Sequence, residues 1–187
     1  DRIGMHFFAR TVIAVVVAIH IPVSVLAAGN HEYEELPGMI SIDTGINTFS
    51  AFVAGDSRDV PVILLHGFPE TSYMWRGFQE QLAENGFFSI AFDQRGYSQS
   101  ARPGGRRRYS LDLLAHDVIA VADQLGLKKF HLVGHDWGSA VGWAVAAGNP
   151  ERVLSWTALS VPHLNAFAWA IRNDPEQHKA SGYMRMF

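Results

Sequence analysis

The sequence predicts an α/β fold in which a mostly parallel sheet carries helices on both of its faces. Strand patterns and helix patterns alternate from about residue 60 onward, as they do when crossover helices join parallel strands. The run Val60 to Leu65 is apolar throughout, which is typical of a strand buried on both faces. Another apolar run, at 130–133, leads through a glycine into a helix of small residues. The same strand-to-helix order therefore recurs near the end of the chain.

Each element has its own signal. The predicted strands have an apolar or alternating pattern and cover 40–42, 48–53, 60–65, 87–92, 130–133 and 153–159. The predicted helices cover 74–85, 111–125 and 139–147. Gly86 and Gly126 are positioned to end the first two helices, and Ser110 is positioned to cap the second. The first two strands read as an antiparallel hairpin at a sheet edge.

Composition excludes several classes of function. The chain has 187 residues, of which 48% are hydrophobic and 18% charged, as in an ordinary globular protein with one core. A formal net charge of -3 gives no reason to expect nucleic acid as a partner. The basic cluster Arg106 to Arg108 is interpreted as a solvated loop rather than a polyanion site. The sequence contains no cysteine, which excludes disulfides and thiolate chemistry.

Residues 1–28 resemble a secretory signal. A short, positively charged segment ends at Arg10, and Thr11 to Leu26 is almost entirely apolar. Val25-Leu26-Ala27 supplies a small-residue pattern for cleavage near Ala27 or Ala28. The apolar run is short for a membrane span of roughly 20 residues. We therefore expect export, with an uncleaved membrane anchor as the alternative.

Three loops follow predicted strands and carry the distinctive residues of the chain. They read His66-Gly67-Phe68-Pro69-Glu70, Asp93 to Ser98, and Gly134 to Ser139. Ligands of parallel α/β sheets bind at the carboxyl ends of the strands, so these loops should lie together. The third loop places Asp136 where the pattern G-x-S-x-G has serine. A carboxylate is already ionised at neutral pH and needs no base to become a nucleophile.

In combination, the motifs HGFPE, DQRGYSQS and GHDWGS resemble the α/β-hydrolase superfamily, and within it the soluble epoxide hydrolases, over about residues 39–187. The resemblance implies that Asp136 attacks an epoxide carbon and forms an ester, which water then hydrolyses with the help of a histidine and an acidic partner. It implies that the backbone N–H groups of Phe68 and Trp137 form the oxyanion hole. It assigns supporting roles to five further residues, His66, Gly67, Pro69, Gly134 and Gly138. His66 is interpreted as a brace for the oxyanion loop rather than as the base.

The same resemblance divides the chain. It implies that residues 29–160 are the N-terminal part of the hydrolase core and that 161–187 begin a helical cap. Tyr183 lies at about the family's distance from the nucleophile, where a cap tyrosine protonates the epoxide oxygen. A tyrosine of the cap core is the alternative. We expect the second cap tyrosine, the base histidine and its acidic partner outside this chain, which would then be a fragment of a longer enzyme.

Related families differ at the residues beside the nucleophile. Haloalkane dehalogenases typically carry asparagine at the position of Phe68, and fluoroacetate dehalogenases carry arginine at that of Trp137. Esterases and lipases would need serine at position 136. Epoxide hydrolysis is therefore the first prediction and haloalkane dehalogenation the second, while a binding protein of hydrolase fold without catalysis is the alternative from another class. The expected partners are a small apolar substrate and water, with no metal or organic cofactor, and no oligomeric state is predicted.

Overall fold

The computed structural model describes residues 38–186 of the chain, and the predicted leader at 1–28 lies outside them. Six strands form one sheet in the order β1-β2-β4-β3-β5-β6. Their bounds are β1 Met39–Asp43, β2 Thr48–Ala54, β3 Val60–Leu65, β4 Phe87–Phe92, β5 Phe130–His135 and β6 Val153–Leu159.

The sheet is parallel over its larger part. β3 pairs in parallel with both β4 and β5, and β5 pairs in parallel with β6. β1 and β2 form an antiparallel hairpin, which joins the sheet edge through an antiparallel pairing of β2 with β4. The predicted fold class and the predicted edge hairpin are therefore confirmed.

Five α-helices accompany the sheet in the described part of the chain. Their bounds are α1 Arg76–Glu84, α2 Leu111–Gln124, α3 Trp137–Gly148, α4 Leu164–Asn173 and α5 Pro175–Ala180. The first helix was predicted from residue 74, but Ser72–Trp75 form a separate 3-10 turn before it. α3 begins directly after Asp136, two residues earlier than predicted. None of the helices described here has both the length and the apolar character to cross a bilayer.

The structure corrects one local prediction and agrees with another. Ser110 does occupy the N-cap of α2, but its side chain makes no capping hydrogen bond. Its carbonyl oxygen accepts the N–H of Leu114 over 3.1 Å, so Ser110 contributes to the start of the helix through its backbone only. The basic cluster, predicted to be a solvated loop, forms the short 3-10 turn Arg106–Tyr109 between β4 and α2. All three arginines of the cluster are exposed there, as a solvated face requires.

The core lies on both faces of the sheet. Ile63 and Leu65 of β3 belong to the larger apolar cluster, which α2 and α3 cover, whereas Val62 and Leu64 belong to a second cluster on the other face. Successive side chains of a strand point to opposite faces, which explains the division. Burying one such side chain contributes about 1.5–3 kcal/mol. β3 is thereby held from both sides, which fixes the point where the loop after it begins.

Candidate active site

The ends of β3 and β5 bring two of the predicted loops together. Leu65, the last residue of β3, pairs with Gly134, the last but one of β5, so the two parallel strands end side by side. His66, Gly67 and Phe68 come from the first strand, and Asp136 comes from the second. Neighbouring parallel strands therefore position the predicted oxyanion loop, 66–68, beside the predicted nucleophile Asp136.

Asp136 occupies a strained turn between β5 and α3. Its backbone has φ 51° and ψ -119°, a conformation that residues other than glycine rarely adopt and that costs on the order of 1–3 kcal/mol. Hydrogen bonds on both sides maintain it. The Asp136 N–H donates to Leu159 O over 3.2 Å, and Asp136 O accepts the N–H groups of Ser139 and Ala140 over 2.9 and 3.2 Å. The carboxylate is thus held half-buried at the end of the sheet.

The turn is possible only because glycines surround it. A Cβ atom on Gly67 would lie 2.5 Å from Asp136 Cβ, and one on Gly138 would lie 2.3 Å from Leu65 O. A Cβ atom on Gly134 would lie 2.5 Å from Gly138 O. Such distances are shorter than carbon atoms tolerate, so the predicted supporting glycines let the strand, the loop and the helix approach one another.

One backbone donor contacts the carboxylate, and the start of α3 directly follows it in the chain. The Phe68 N–H donates to Asp136 Oδ1 over 3.0 Å. Trp137 is the first residue of α3, and the N–H groups of a helix's first turn have no partner within the helix. The positive end of the helix dipole lies there as well, which favours negative charge.

The buried ring of His66 stabilises the loop that follows β3. It is 1% exposed; Gln94 N–H donates to its Nε2 atom over 3.0 Å, and its Nδ1 atom lies 2.9 Å from Gly67 O. Because a backbone N–H can only donate, Nε2 must be the acceptor and Nδ1 must carry the proton. Burial lowers the pKa of His66, although a weaker effect of the Gly67 hydrogen bond opposes it. The ring is therefore neutral at pH 7, and both of its nitrogens are occupied.

A cavity of about 250 Å³ opens beside these groups. His66, Gly67, Phe68 and Trp137 form one side of it, and its other lining residues are Gln94, Arg95, Tyr97, Tyr109, Leu114 and Val141. Phe68 and Trp137 are 53% and 58% exposed, so large aromatic surfaces lie next to Asp136, the predicted nucleophile. The cavity accordingly favours an apolar ligand, held close to a carboxylate.

Comparison with known proteins identifies the family. A family model described as alpha/beta hydrolase fold matches residues 60–187 of the chain. The chain belongs to the α/β-hydrolase family.

Individual members of the α/β-hydrolase family are similar to this chain. It is 37% identical over 145 residues to Epoxide hydrolase 4 of Homo sapiens, a match that covers 78% of the chain and 40% of that relative. The crystal structure of Epoxide Hydrolase A from Mycobacterium thermoresistibile matches with a TM-score of 0.65 and 37% identity, over 68% of the chain and 40% of that structure. A Bacillus megaterium epoxide hydrolase crystallised with an inhibitor matches with a TM-score of 0.73 and 34% identity, over 79% of the chain and 51% of that structure. The chain thus spans about two fifths to one half of these relatives.

A buried ion pair stabilises the loop that follows β4. The Arg95 Nε and Nη2 atoms each donate to the Asp117 carboxylate of α2 over 2.6 Å, and both side chains are almost fully buried. This hydrogen-bonded pairing raises the pKa of Arg95, so it stays charged. Arg95 also donates to Arg108 O over 3.2 Å. The loop that carries Gln94 and Tyr97 is therefore fixed to the helix layer.

The predicted site residues do not all lie at the cavity. Phe68, Trp137, His66 and Gly67 line the cavity. Asp136 is not itself a lining residue, but it contacts Phe68 and lies against Gly67, and Gly134 and Gly138 pack closely at the same turn. Pro69 follows Phe68 through a cis peptide bond. Tyr183 lies in the 3-10 turn Ser181–Met186 and is 58% exposed, and it is not among the residues that line the cavity. Its catalytic role stays a prediction.

The structure adds three residues that the motifs contain but that we had not singled out. Gln94 contacts His66, and Ser139 Oγ lies 2.6 Å from Gly134 O and 2.8 Å from Leu159 O, so it ties α3 to two strand ends. Tyr97 lines the cavity, and its ring packs edge-on against His66 at 4.5 Å. Burial, reinforced by the Asp136 charge, raises the pKa of Tyr97. Only their position inside DQRGYSQS and GHDWGS could have suggested them.

Metal binding has no support in the described region. Within residues 38–186 no group of three or more His, Asp or Glu side chains is placed to hold a metal ion. The prediction that catalysis needs no metal or organic cofactor stays a prediction.

Proposed function

We propose that the protein opens small apolar epoxides to diols through a covalent ester on Asp136. The observation that carries this proposal is the 3.0 Å hydrogen bond from the Phe68 N–H to Asp136 Oδ1. It distinguishes the two carboxylate oxygens, because Oδ1 is engaged by a fixed donor and Oδ2 is the one that attacks. The relatives named epoxide hydrolase support the choice of substrate class.

In the first step, Oδ2 attacks one epoxide carbon. A C–O bond forms between Oδ2 and that carbon while the bond from the same carbon to the epoxide oxygen breaks, and the released alkoxide takes up a proton. A phenol is a suitable donor because it stays protonated at neutral pH. Tyr183 is the residue that we propose for this task. The product of the step is a hydroxyalkyl ester of Asp136.

In the second step, water attacks Cγ of the ester. Oδ1 is by then the carbonyl oxygen and becomes the oxyanion of the tetrahedral intermediate. The Phe68 N–H already contacts this atom, and the Trp137 N–H at the start of α3 is the second donor that we propose. Donors that are in place before the charge develops stabilise it without reorganisation. Collapse of the intermediate releases the diol and restores Asp136. A general base must take the proton of this water as it attacks, and the leaving alkoxide takes up a proton as the ester bond breaks.

The lining of the cavity indicates the kind of epoxide. Phe68, Trp137, Leu114 and Val141 contribute apolar surface to a space of about 250 Å³. Such a cavity accepts a small ligand with little polar character. We propose short aliphatic or monoaryl epoxides as substrates.

Mass spectrometry tests the first step directly. The protein is incubated with excess styrene oxide and digested, and the peptide that contains Asp136 is examined for an adduct. We expect one adduct on Asp136, or diol release where turnover is complete, and neither in Asp136→Asn. The alkylation step is refuted if wild-type protein and Asp136→Asn carry the same modification and release no diol.

A parallel incubation with a 1-haloalkane separates the second prediction from the first. The same Asp136 ester would form from a haloalkane, but with release of halide. Phe68 has an apolar side chain that cannot donate a hydrogen bond to a departing halide, so we expect the epoxide to react faster. Faster halide release would assign the protein to dehalogenation, and no reaction with either compound would favour the binding protein.

We also propose that the protein is exported through its leader at 1–28. The proposal rests on the charged segment, the apolar run and the pattern Val25-Leu26-Ala27 in the sequence. N-terminal sequencing of the protein from its native host should begin near residue 28 or 29. An intact N-terminus in the cytosolic fraction would overturn it, and one in the membrane fraction would favour the uncleaved anchor.

A further inference from the structure

Gln94 forms hydrogen bonds with two separate atoms of His66. Its backbone N–H donates to His66 Nε2 over 3.0 Å, and its side-chain Nε2 donates to His66 O over 2.6 Å. Both residues are buried, and Gln94 is 8% exposed. The Gln94 carbonyl oxygen in turn accepts the N–H of Tyr97 over 2.8 Å. Gln94 therefore connects the loop after β4 with the loop after β3.

The peptide between Gly67 and Phe68 connects these hydrogen bonds with Asp136. A trans peptide is planar, so its C=O and its N–H point in opposite directions. At one end the His66 ring donates from Nδ1 to Gly67 O over 2.9 Å, and Glu70 N–H donates to the same oxygen over 3.0 Å. At the other end the Phe68 N–H donates to Asp136 Oδ1 over 3.0 Å. Fixing the carbonyl oxygen therefore fixes the direction of the oxyanion donor.

We propose that Gln94 is a positioning residue for the oxyanion hole, and that it acts through His66 on the direction of the Phe68 N–H. Its backbone sets the tautomer of the ring, and its side-chain amide holds the carbonyl of the preceding peptide. The proposal rests on the function proposed for Asp136, because it concerns the same site.

The side chain at position 94 must be a hydrogen-bond donor of the right length. The carbonyl oxygen of His66 also lies close to Gly138 of α3, where an added Cβ atom would be only 2.6 Å away. This oxygen therefore has little room to move. Methionine has a similar size but cannot donate. Glutamate has nearly the same shape and donates only when it is protonated. The two substitutions therefore remove the same hydrogen bond in ways that respond differently to pH.

Gln79 supplies a matched control. It is a glutamine of α1 that is 2% exposed, and its Nε2 atom donates to Phe52 O over 3.0 Å and to Ser89 O over 3.3 Å. Neither carbonyl belongs to the site. Gln79→Met therefore also removes buried amide hydrogen bonds, but it should not disturb the Phe68 N–H.

The experiment measures two quantities in the full-length protein. One is the rate at which excess styrene oxide esterifies Asp136, or releases diol where turnover is complete. The other is the amide proton shift of Phe68 by NMR. We expect Gln94→Met to slow esterification by about 10- to 100-fold, the order of a small misplacement of reacting groups, and to move the Phe68 amide upfield. Gln79→Met should leave both near wild type.

Gln94→Glu covers the case in which Gln94→Met does not fold. Relative to wild type at the same pH, its esterification rate should rise as pH falls from 8 to 5, because the protonated carboxyl again donates to His66 O. The proposal is overturned if folded Gln94→Met, or folded Gln94→Glu at pH 8, reacts at the wild-type rate with an unchanged Phe68 amide. If wild-type Asp136 is not esterified at all, the proposed function fails, and the Phe68 amide shift still decides the role of Gln94.

Discussion

Gly67 and Asp136 are so close that a methyl group on Gly67 would lie 2.5 Å from Asp136 Cβ and 2.8 Å from its Oδ1 atom. The clash falls on the oxygen that the neighbouring Phe68 N–H holds. We expect Gly67→Ala to displace the carboxylate by several tenths of an ångström or more and to lower the rate of Asp136 esterification about 100-fold. Peptide mapping after timed exposure to styrene oxide measures this rate.

Gly77 is the control for this substitution, because a Cβ atom there would meet nothing within 4 Å. Gly77→Ala should esterify like wild type. An unchanged rate in Gly67→Ala would mean that the loop moves away without cost and does not position the nucleophile.

The buried pair of Arg95 and Asp117 should be important for stability. Asp117→Asn keeps the shape of the side chain but leaves the Arg95 charge buried without its carboxylate. Removing one partner of a buried pair costs about 3–5 kcal/mol. We expect a decrease of that order in the free energy of unfolding, measured by urea titration. The exposed pair of Asp56 and Arg58 gives the comparison, and Asp56→Asn should have no measurable effect on stability. Equal effects of the two substitutions would contradict the prediction.

Two glycines of α3 should respond in opposite ways to alanine. A Cβ atom on Gly142 would lie 2.0 Å from the Trp156 ring of β6, whereas one on Gly148 would meet nothing within 4 Å. Overpacking of this kind costs about 1–3 kcal/mol or more. Gly148→Ala should be neutral or stabilising by up to about 1 kcal/mol, because alanine favours the helix. Thermal unfolding followed by circular dichroism measures both, and a Gly142→Ala variant as stable as wild type would show that Trp156 can turn away.

His66 should make stability depend on pH. Burial lowers its pKa in the folded chain below the ordinary 6.5 of the unfolded chain. The unfolded state therefore binds the proton more readily, and stability that is fully present above pH 6.5 is lost as pH falls toward the lowered pKa. Urea titrations at pH 7.5, 6.5 and 5.5 should show this decrease. His66→Gln should be less stable at every pH but should lose less between pH 7.5 and 5.5. A variant with the same pH slope as wild type would show that other groups cause the decrease.

The sequence predicted most of the fold because its signals are local. Apolar runs, alternating segments and glycines after helices identified all six strands and the first three helices to within a few residues. The boundaries that differ were decided by neighbours in space. β5 continues to His135 because Gly134 and His135 pair with Ala158 and Leu159 of β6, and no local pattern contains that pairing.

The sequence by itself determined the chemistry that is available at this site. Asp136 between two glycines, the loop from His66 to Pro69, and the lack of cysteine are facts of residue type, which folding does not change. Only the tertiary structure decided which groups act on one another. The hydrogen bond from Phe68 to Asp136 and the contacts of Gln94 with His66 join residues 68 and 28 positions apart. They exist because parallel strands align their carboxyl ends, so that loops distant in the sequence become neighbours in space.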